Sequence, residues 1–234
     1  MHNCLVGSEM CIRDRIKLPF GVEINNLIDD LRSFSWEAAD ILLYYANIIK
    51  KLEQKNEILK NKNNNDPVTL ADLEVNELII NRINQKYQDA NWEILSEENF
   101  KIESNYFNNV DWLWILDPLD GTKDFIQGTQ NYAMHLALNY KNKPFIGVVL
   151  VPEKDELWIS YAEKLWCEKR DGSIRKQNLS ETNVLQNMKV VTSKNHGNKK
   201  LKELIDKINF RKIIEMGSIG CKIASIVRGE SDIY

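Results

Sequence analysis

The sequence predicts a layered α+β fold, and three features carry that reading. A long apolar stripe at helical spacing occupies the first third of the chain. A run of short alternating strands joined by tight turns follows. The last part alternates strand and helix. Helices first, then strands, then alternation, point to stacked layers rather than a bundle or a barrel.

From residue 24 to about 60 apolar side chains recur every three or four positions: Leu27, Leu31, Phe34, Ala38, Ile41, Leu42 and Tyr45 share one broad stripe. Ser33 and Ser35 allow a break there. The polar stretch 60–65 and Asp66-Pro67 end the helix. Thr69 or Asp72 is placed to cap a second helix, with Val75, Leu78, Ile79, Ile83 and Tyr87 on one side, ending near residues 88–91. Trp92 to Leu95 reads as a short strand running into Ser96-Glu97-Glu98, and Trp112 to Leu116 as a stronger one that ends at Asp117. Residues 132–140 and 145–151 form strands around a turn at Asn142-Lys143-Pro144. Strands at 157–161 and 165–168 continue the run, with Asp171-Gly172 as the next turn. Such short links demand antiparallel pairing, because parallel strands need crossovers of a dozen residues or more. A strand at 189–192, a helix at 199–208, a strand at 213–216 and a glycine turn leading into a helix at 217–227 complete the pattern.

The composition narrows the function. With 43% hydrophobic and 28% charged residues the 234-residue chain is globular in type. A formal net charge of −3 does not suit nucleic-acid binding. No apolar run reaches the length of a membrane span. Cys4, Cys11, Cys167 and Cys221 form no CxxC pair, so a structural zinc site is not expected. Residues 1–15 lack both helical and strand periods and lack the order of a signal peptide, so residues 1–20 read as a disordered or extraneous leader and the protein as cytoplasmic. No feature of the sequence sets an oligomeric state.

The chemistry concentrates at Asp117-Pro118-Leu119-Asp120-Gly121-Thr122, at the mouth of an apolar strand. In a continuing strand Asp117 and Asp120 would face opposite ways. Pro118 is expected to stop the strand, and a turn would then gather both carboxylates and the Leu119 carbonyl toward one space. Gly121 supplies close approach or unusual dihedrals, and Thr122 is placed to cap a short helix. Carboxylates sharing a site repel unless a hard cation compensates them, and magnesium suits few carboxylates, water and phosphate oxygens. Glu97, Glu98 and Asp72 are candidates to complete such a site, and two metals could clamp a phosphoryl group. Alternatives stay open: turn-forming Asp-Pro and Asp-Gly, a solvated Glu97-Glu98 loop, Asp72 as a plain cap, or a glycosidase pair of acids. His135 falls inside a strand pattern and reads as structural. Trp112 and Trp114 read as packing, and Ser193-Lys194-Asn195-His196 as a polar loop that is either an anion contact or plain surface.

The run Asp117 to Phe125 resembles the first signature of the inositol monophosphatase superfamily. Asp66-Pro67-Val68-Thr69-Leu70-Ala71-Asp72 and Leu95-Ser96-Glu97-Glu98 resemble its upstream segments. Within it, Lys123-Asp124-Phe125-Ile126, the run 190–196 and the run 217–222 look most like the 3'(2'),5'-bisphosphate nucleotidase branch. The resemblance covers residues 24–234. It implies an αβαβα layered sandwich of the sugar-phosphatase type, with a largely antiparallel first sheet in a metal-binding domain (21–185) and an incomplete second α/β domain (186–234). It implies a magnesium-dependent hydrolase, with two or three Mg2+ ions, that removes the 3'-phosphate of 3'-phosphoadenosine 5'-phosphate.

The same resemblance implies residue roles. Glu97, Asp117, Asp120 and the Leu119 carbonyl would hold magnesium. Asp72 and Thr122, with Glu97, would serve the attacking water. Gly121 and Thr122 would meet the departing phosphate, and Ser193, Gly217, Ser218 and Lys222 the rest of the nucleotide. A second family signature, Trp-Asp followed by small residues, is expected shortly after Tyr234. The resemblance therefore implies a truncated chain whose metal site lacks one aspartate and whose folding and activity would suffer. An inositol-phosphate or other sugar-phosphate phosphatase is the close alternative, and an inactive binding or interaction protein the distant one.

Overall fold

A computed structural model describes residues 16–54, 70–97, 110–194 and 199–234. The expected chain break at Asp66-Pro67, the cap at Thr69, and Glu98, Asn195 and His196 lie outside the described residues.

Helix α1 (Ile24–Gln54) runs unbroken through Ser33 and Ser35. Its apolar stripe explains this: Leu27, Leu31, Ala38 and Leu42 are fully buried, and so is Ser35, so packing on both sides of the serines holds the helix straight through them. Helix α2 (Leu70–Lys86) buries Val75, Ile79 and Ile83 beside α1. Asp72 lies within its first turn rather than before it, so this carboxylate sits inside the helix where it still complements the amino-terminal dipole.

Seven strands form the main sheet in chain order: β1 (Glu93–Ser96), β2 (Trp112–Asp120), β3 (Ala133–Tyr140), β4 (Lys143–Val151), β5 (Glu156–Tyr161), β6 (Lys164–Glu168) and β7 (Ile174–Arg175). All neighbours pair antiparallel except β1 with β2. The β3–β4 turn is tighter than the sequence suggested. Tyr140 pairs with Lys143, leaving Lys141 and Asn142 as the two turn residues, with φ of 48° and 62°. Two successive positive φ values give the turn whose twist matches the flanking strands. Pro144 therefore lies in β4, beside a register irregularity.

One face of the sheet packs on α1 and α2, with Trp114, Leu116, Leu136 and Leu138 in that core. The other face meets helix α5 (Ile219–Val227). Ala133, Val151 and Trp158 of the sheet join Cys221 and Ala224 of α5, and Val191 and Met216 from a second sheet, in a separate core. That second sheet pairs β8 (Lys189–Ser193) with β9 (Lys212–Met216) in parallel, with Ile233 bridging to Val190 on the outer side. Helix α4 (Lys199–Ile208) connects them. The layers thus run helix pair, large sheet, helix, small sheet, which is the layered α+β sandwich expected.

Between α1 and β6, Arg32 donates through Nη2 to Glu168 at 2.8 Å, and Trp166 also donates to Glu168. The Arg32 guanidinium holds the Glu168 carboxyl below its usual range. A carboxyl whose folded pKa is depressed stabilises the fold above its unfolded pKa and loses that contribution as pH falls through the folded value. Below about pH 4.5, the ordinary glutamate range, wild-type stability is expected to fall more steeply with acid than that of Arg32→Ala. Urea midpoints at pH 7 and pH 3 check this; parallel losses in both proteins would show that the pair contributes nothing.

Candidate active site

Strand β2 does not stop at Pro118. Asp117 pairs with His135 and Asp120 with Ala133, so three steps along β2 match two along β3. One extra residue is a β-bulge, and Pro118 and Leu119 occupy it. The missing Pro118 donor costs nothing there, since the bulge leaves that position outside the ladder. The bulge also repairs the parity problem: Asp117 and Asp120 are two ladder positions apart, and such residues share a face. The two carboxylates converge through a bulge instead of a terminal turn.

Gly121 follows with φ 89°, in the left-handed region. A Cβ there would lie 2.7 Å from the Asn131 carbonyl and 3.1 Å from Ser218 Cβ, so glycine serves both the turn and the approach of α5. Gly121, not Thr122, is the cap position of the short helix α3 (Thr122–Ile126). The Thr122 hydroxyl instead donates to the Leu119 carbonyl at 3.0 Å. With its proton committed to that carbonyl, the Thr122 oxygen is left to accept.

The acidic groups meet electrostatically. Burial, then the charges on Asp120 and Glu97, and more weakly that on Asp72, push Asp117 up to about 7. Asp72 comes from the first turn of α2 and is buried; Glu97 follows β1 and is exposed, its backbone N–H bonded to the Leu116 carbonyl at 3.2 Å. Among the described residues no three His, Cys, Asp or Glu side chains form a ready-made metal cage. Excess negative charge on hard oxygen donors is the chemistry a magnesium ion fits.

Opposite the acids stands the start of α5. Asp120 Oδ2 accepts from Ser218 Oγ at 2.6 Å, from the Ile219 N–H at 2.6 Å and from the Gly220 N–H at 3.3 Å. Ser218 is also the N-cap, accepting from the Cys221 N–H at 3.1 Å. Gly217 closes the gap to α3: a Cβ there would stand 1.8 Å from Asp124 Oδ2. Asp124 is buried, and Thr129 Oγ1 donates to its Oδ1 at 2.8 Å while Lys194 Nζ lies 3.4 Å from it. One turn further along α5, buried Lys222 donates to Ser193 Oγ at 2.8 Å and to the Gly217 carbonyl at 3.3 Å. Its ammonium lies 4.8 Å from the centre of the Tyr234 ring. Ser193 and Lys222 hold the Tyr234 phenol below its ordinary range.

Asp72, Glu97, Asp117, Leu119, Asp120, Gly121 and Thr122 lie on one side, and Ser193, Gly217, Ser218 and Lys222 on the other, with Asp120 and Ser218 in direct contact. Three neighbours were not foreseen as site residues: Tyr234, Asp124 and His135. The β2–β3 register alone brings His135 beside the aspartates, and its Nε2 lies 3.3 Å from Asp120 Oδ2. Burial holds the imidazole below its usual pKa against the pull of Asp120. A histidine in a strand pattern carries no local signal of this.

The layered sandwich is the fold of solved inositol monophosphatases. The Thermotoga maritima IMPase superposes with a TM-score of 0.67 over 88% of this chain and 74% of that one, at 23% identity. Among curated relatives, the 3'(2'),5'-bisphosphate nucleotidase CysQ of Buchnera aphidicola is 31% identical over 176 residues, covering 74% of this chain and 63% of that protein. CysQ of Escherichia coli K12 is 25% identical over 211 residues, covering 89% of this chain and 79% of that protein. The chain thus spans less than two thirds of the Buchnera relative. The inositol monophosphatase family model matches residues 26–234, and the chain belongs to that family.

Proposed function

We propose that this protein is a magnesium-dependent phosphate-monoester hydrolase that removes the 3'-phosphate of 3'-phosphoadenosine 5'-phosphate, giving AMP and phosphate. The observation that carries the reading is the electrostatic influence of Asp120, Glu97 and Asp72 on buried Asp117, felt as its raised pKa, beside an Asp120 carboxylate held at the amino terminus of α5. Glu97, Asp117, Asp120 and the Leu119 carbonyl would hold two or three magnesium ions. Bound there, the ions supply positive charge for the phosphoryl oxygens and acidify a water.

The remaining work belongs to the chain's own groups. Asp72 accepts from the attacking water. Thr122, whose hydroxyl proton is engaged by Leu119, offers its oxygen to the same water and so orients it. Gly121 and Thr122 would meet the departing phosphate, and the positive end of α5 favours an anion close to Ser218. Lys222, Ser193 and Gly217 form a polar, cationic wall suited to the rest of a bisphosphate. The nucleotide assignment draws on that wall and on the names of the CysQ relatives.

Phosphate release from 3'-phosphoadenosine 5'-phosphate and from inositol 1-phosphate, each with magnesium, separates this reading from its neighbour. We expect the nucleotide to give the larger kcat/KM. A large preference for inositol 1-phosphate assigns the protein to inositol-phosphate hydrolysis, which the same carboxylates serve. No release from either, together with no magnesium binding, leaves a binding protein on a phosphatase frame.

A further inference from the structure

We propose that Ser96 and Asn76 are positioning residues whose buried hydrogen bond sets helix α2, and with it Asp72, against the strand that leads to Glu97. The inference rests on the reading of Asp72 and Glu97 as parts of a phosphatase site. Ser96 Oγ donates to Asn76 Oδ1, and both residues are buried. Asn76 lies four residues after Asp72, one turn along α2, so the two share a face of the helix. Ser96 is the last residue of β1 and immediately precedes Glu97. One bond therefore joins the element that carries Asp72 to the element that delivers Glu97.

The two elements are otherwise held in different ways. Strand β1 pairs in parallel with β2, with Ser96 opposite Leu116, and the Glu97 N–H continues onto the Leu116 carbonyl. The backbone ladder thus sets the height of Glu97 relative to Asp117, the residue after Leu116. Helix α2 has no place in a ladder. Val75, Ile79 and Ile83 bury it in the core, but apolar contact is non-directional and does not fix the height of a helix along a sheet. Tyr45 donates to Glu74 and Arg82 to Glu37, bonds that tie α2 to α1 on the exposed side rather than to the sheet. A hydrogen bond has a preferred length and direction, so the Ser96–Asn76 bond supplies the register that packing leaves loose. Register matters because a misplacement of about 1 Å in a reacting site can cost about 100-fold in rate.

The test compares wild type with Ser96→Ala, which removes the donor, Asn76→Ala, which removes the acceptor, the double variant, and Ser96→Thr, which keeps a hydroxyl. Phosphate release is measured at saturating magnesium on 3'-phosphoadenosine 5'-phosphate or inositol 1-phosphate, whichever the wild type prefers, and urea unfolding reports the fold. Each alanine variant is expected to lose about 10- to 100-fold in kcat with KM close to wild type. The double variant is expected to lose no more than either single one, because all three lack the same bond. Ser96→Thr is expected to keep kcat near wild type. A folded Ser96→Ala protein with wild-type kcat overturns the proposal. So does a loss carried by KM alone, a double variant whose loss is the product of the single losses, or a Ser96→Thr protein as slow as Ser96→Ala. Where an alanine variant does not fold, Ser96→Cys takes its place, with similar bulk and a weaker donor. Wild-type kcat in folded Ser96→Cys overturns the proposal equally. A wild type that releases phosphate from neither substrate sinks the hydrolase reading and this inference with it, whereas an active wild type with unaffected variants sinks this inference alone.

Discussion

Asp117→Asn is expected to lower turnover at least about tenfold, a loss of transition-state stabilisation above roughly 1.4 kcal/mol. Asparagine keeps the shape and one oxygen but removes the negative charge that a magnesium site needs. The same substitution is expected not to weaken the fold. Burial and the charges of Asp120, Glu97 and Asp72 already oppose ionisation of Asp117, so a neutral side chain relieves repulsion. A group kept under electrostatic strain for function shows this opposition of activity and stability. Steady-state kinetics with saturating magnesium and a thermal midpoint measured without it check both halves. Turnover near that of wild type would remove Asp117 from the site.

Arg228→Met is expected to destabilise the protein by about 3–5 kcal/mol, the usual consequence of stranding one member of a buried ion pair. Glu156 at the start of β5 is fully buried, and Arg228 at the end of α5 nearly so. Arg228 donates from Nη1 to Glu156 Oε2 at 2.7 Å and from Nη2 to Glu230 at 2.7 Å. Arg175 and Trp158 also donate to Glu156, at 2.6 and 3.1 Å. The network links the large sheet to the helix that carries Ser218 and Lys222, so its loss should loosen the site as well. Replacing both partners, Glu156→Met with Arg228→Met, is expected to recover much of the loss, because no uncompensated charge then remains buried. Urea unfolding of the three variants measures this. Equal stability of Arg228→Met and wild type would show that water or Arg175 suffices for Glu156.

Much of this molecule is legible in its sequence because much of it is periodic. Leu27, Leu31 and Leu42 announce the buried face of α1, and the strand meander from β3 to β6 follows from short links that permit only antiparallel neighbours. The acidic run was legible through its resemblance to a family signature, because residue types and spacing alone left turn-forming and glycosidase readings open. Corrections cluster where tertiary packing outweighs a local rule. Pro118 ends a strand by local rules, yet β3 pairs past it on both sides. Thr122 looks like a cap, yet its hydroxyl turns back to Leu119. Asn142-Lys143-Pro144 looks like a turn, yet the positive φ values of Lys141 and Asn142 place it one residue earlier.

The sequence by itself determined the order of helices and strands, the layered class, the family resemblance and the acidic residues around which the site is read. These are properties of neighbours along the chain, and periodicity and motif spacing record them directly. Tertiary structure alone decided how the residues meet. The bulge puts Asp117 and Asp120 on one face, the register with β3 sets His135 beside them, and packing of α5 between two sheets brings Ser218 onto Asp120 across 98 residues of chain. Such contacts depend on the register and packing of elements distant in sequence, which no local pattern encodes.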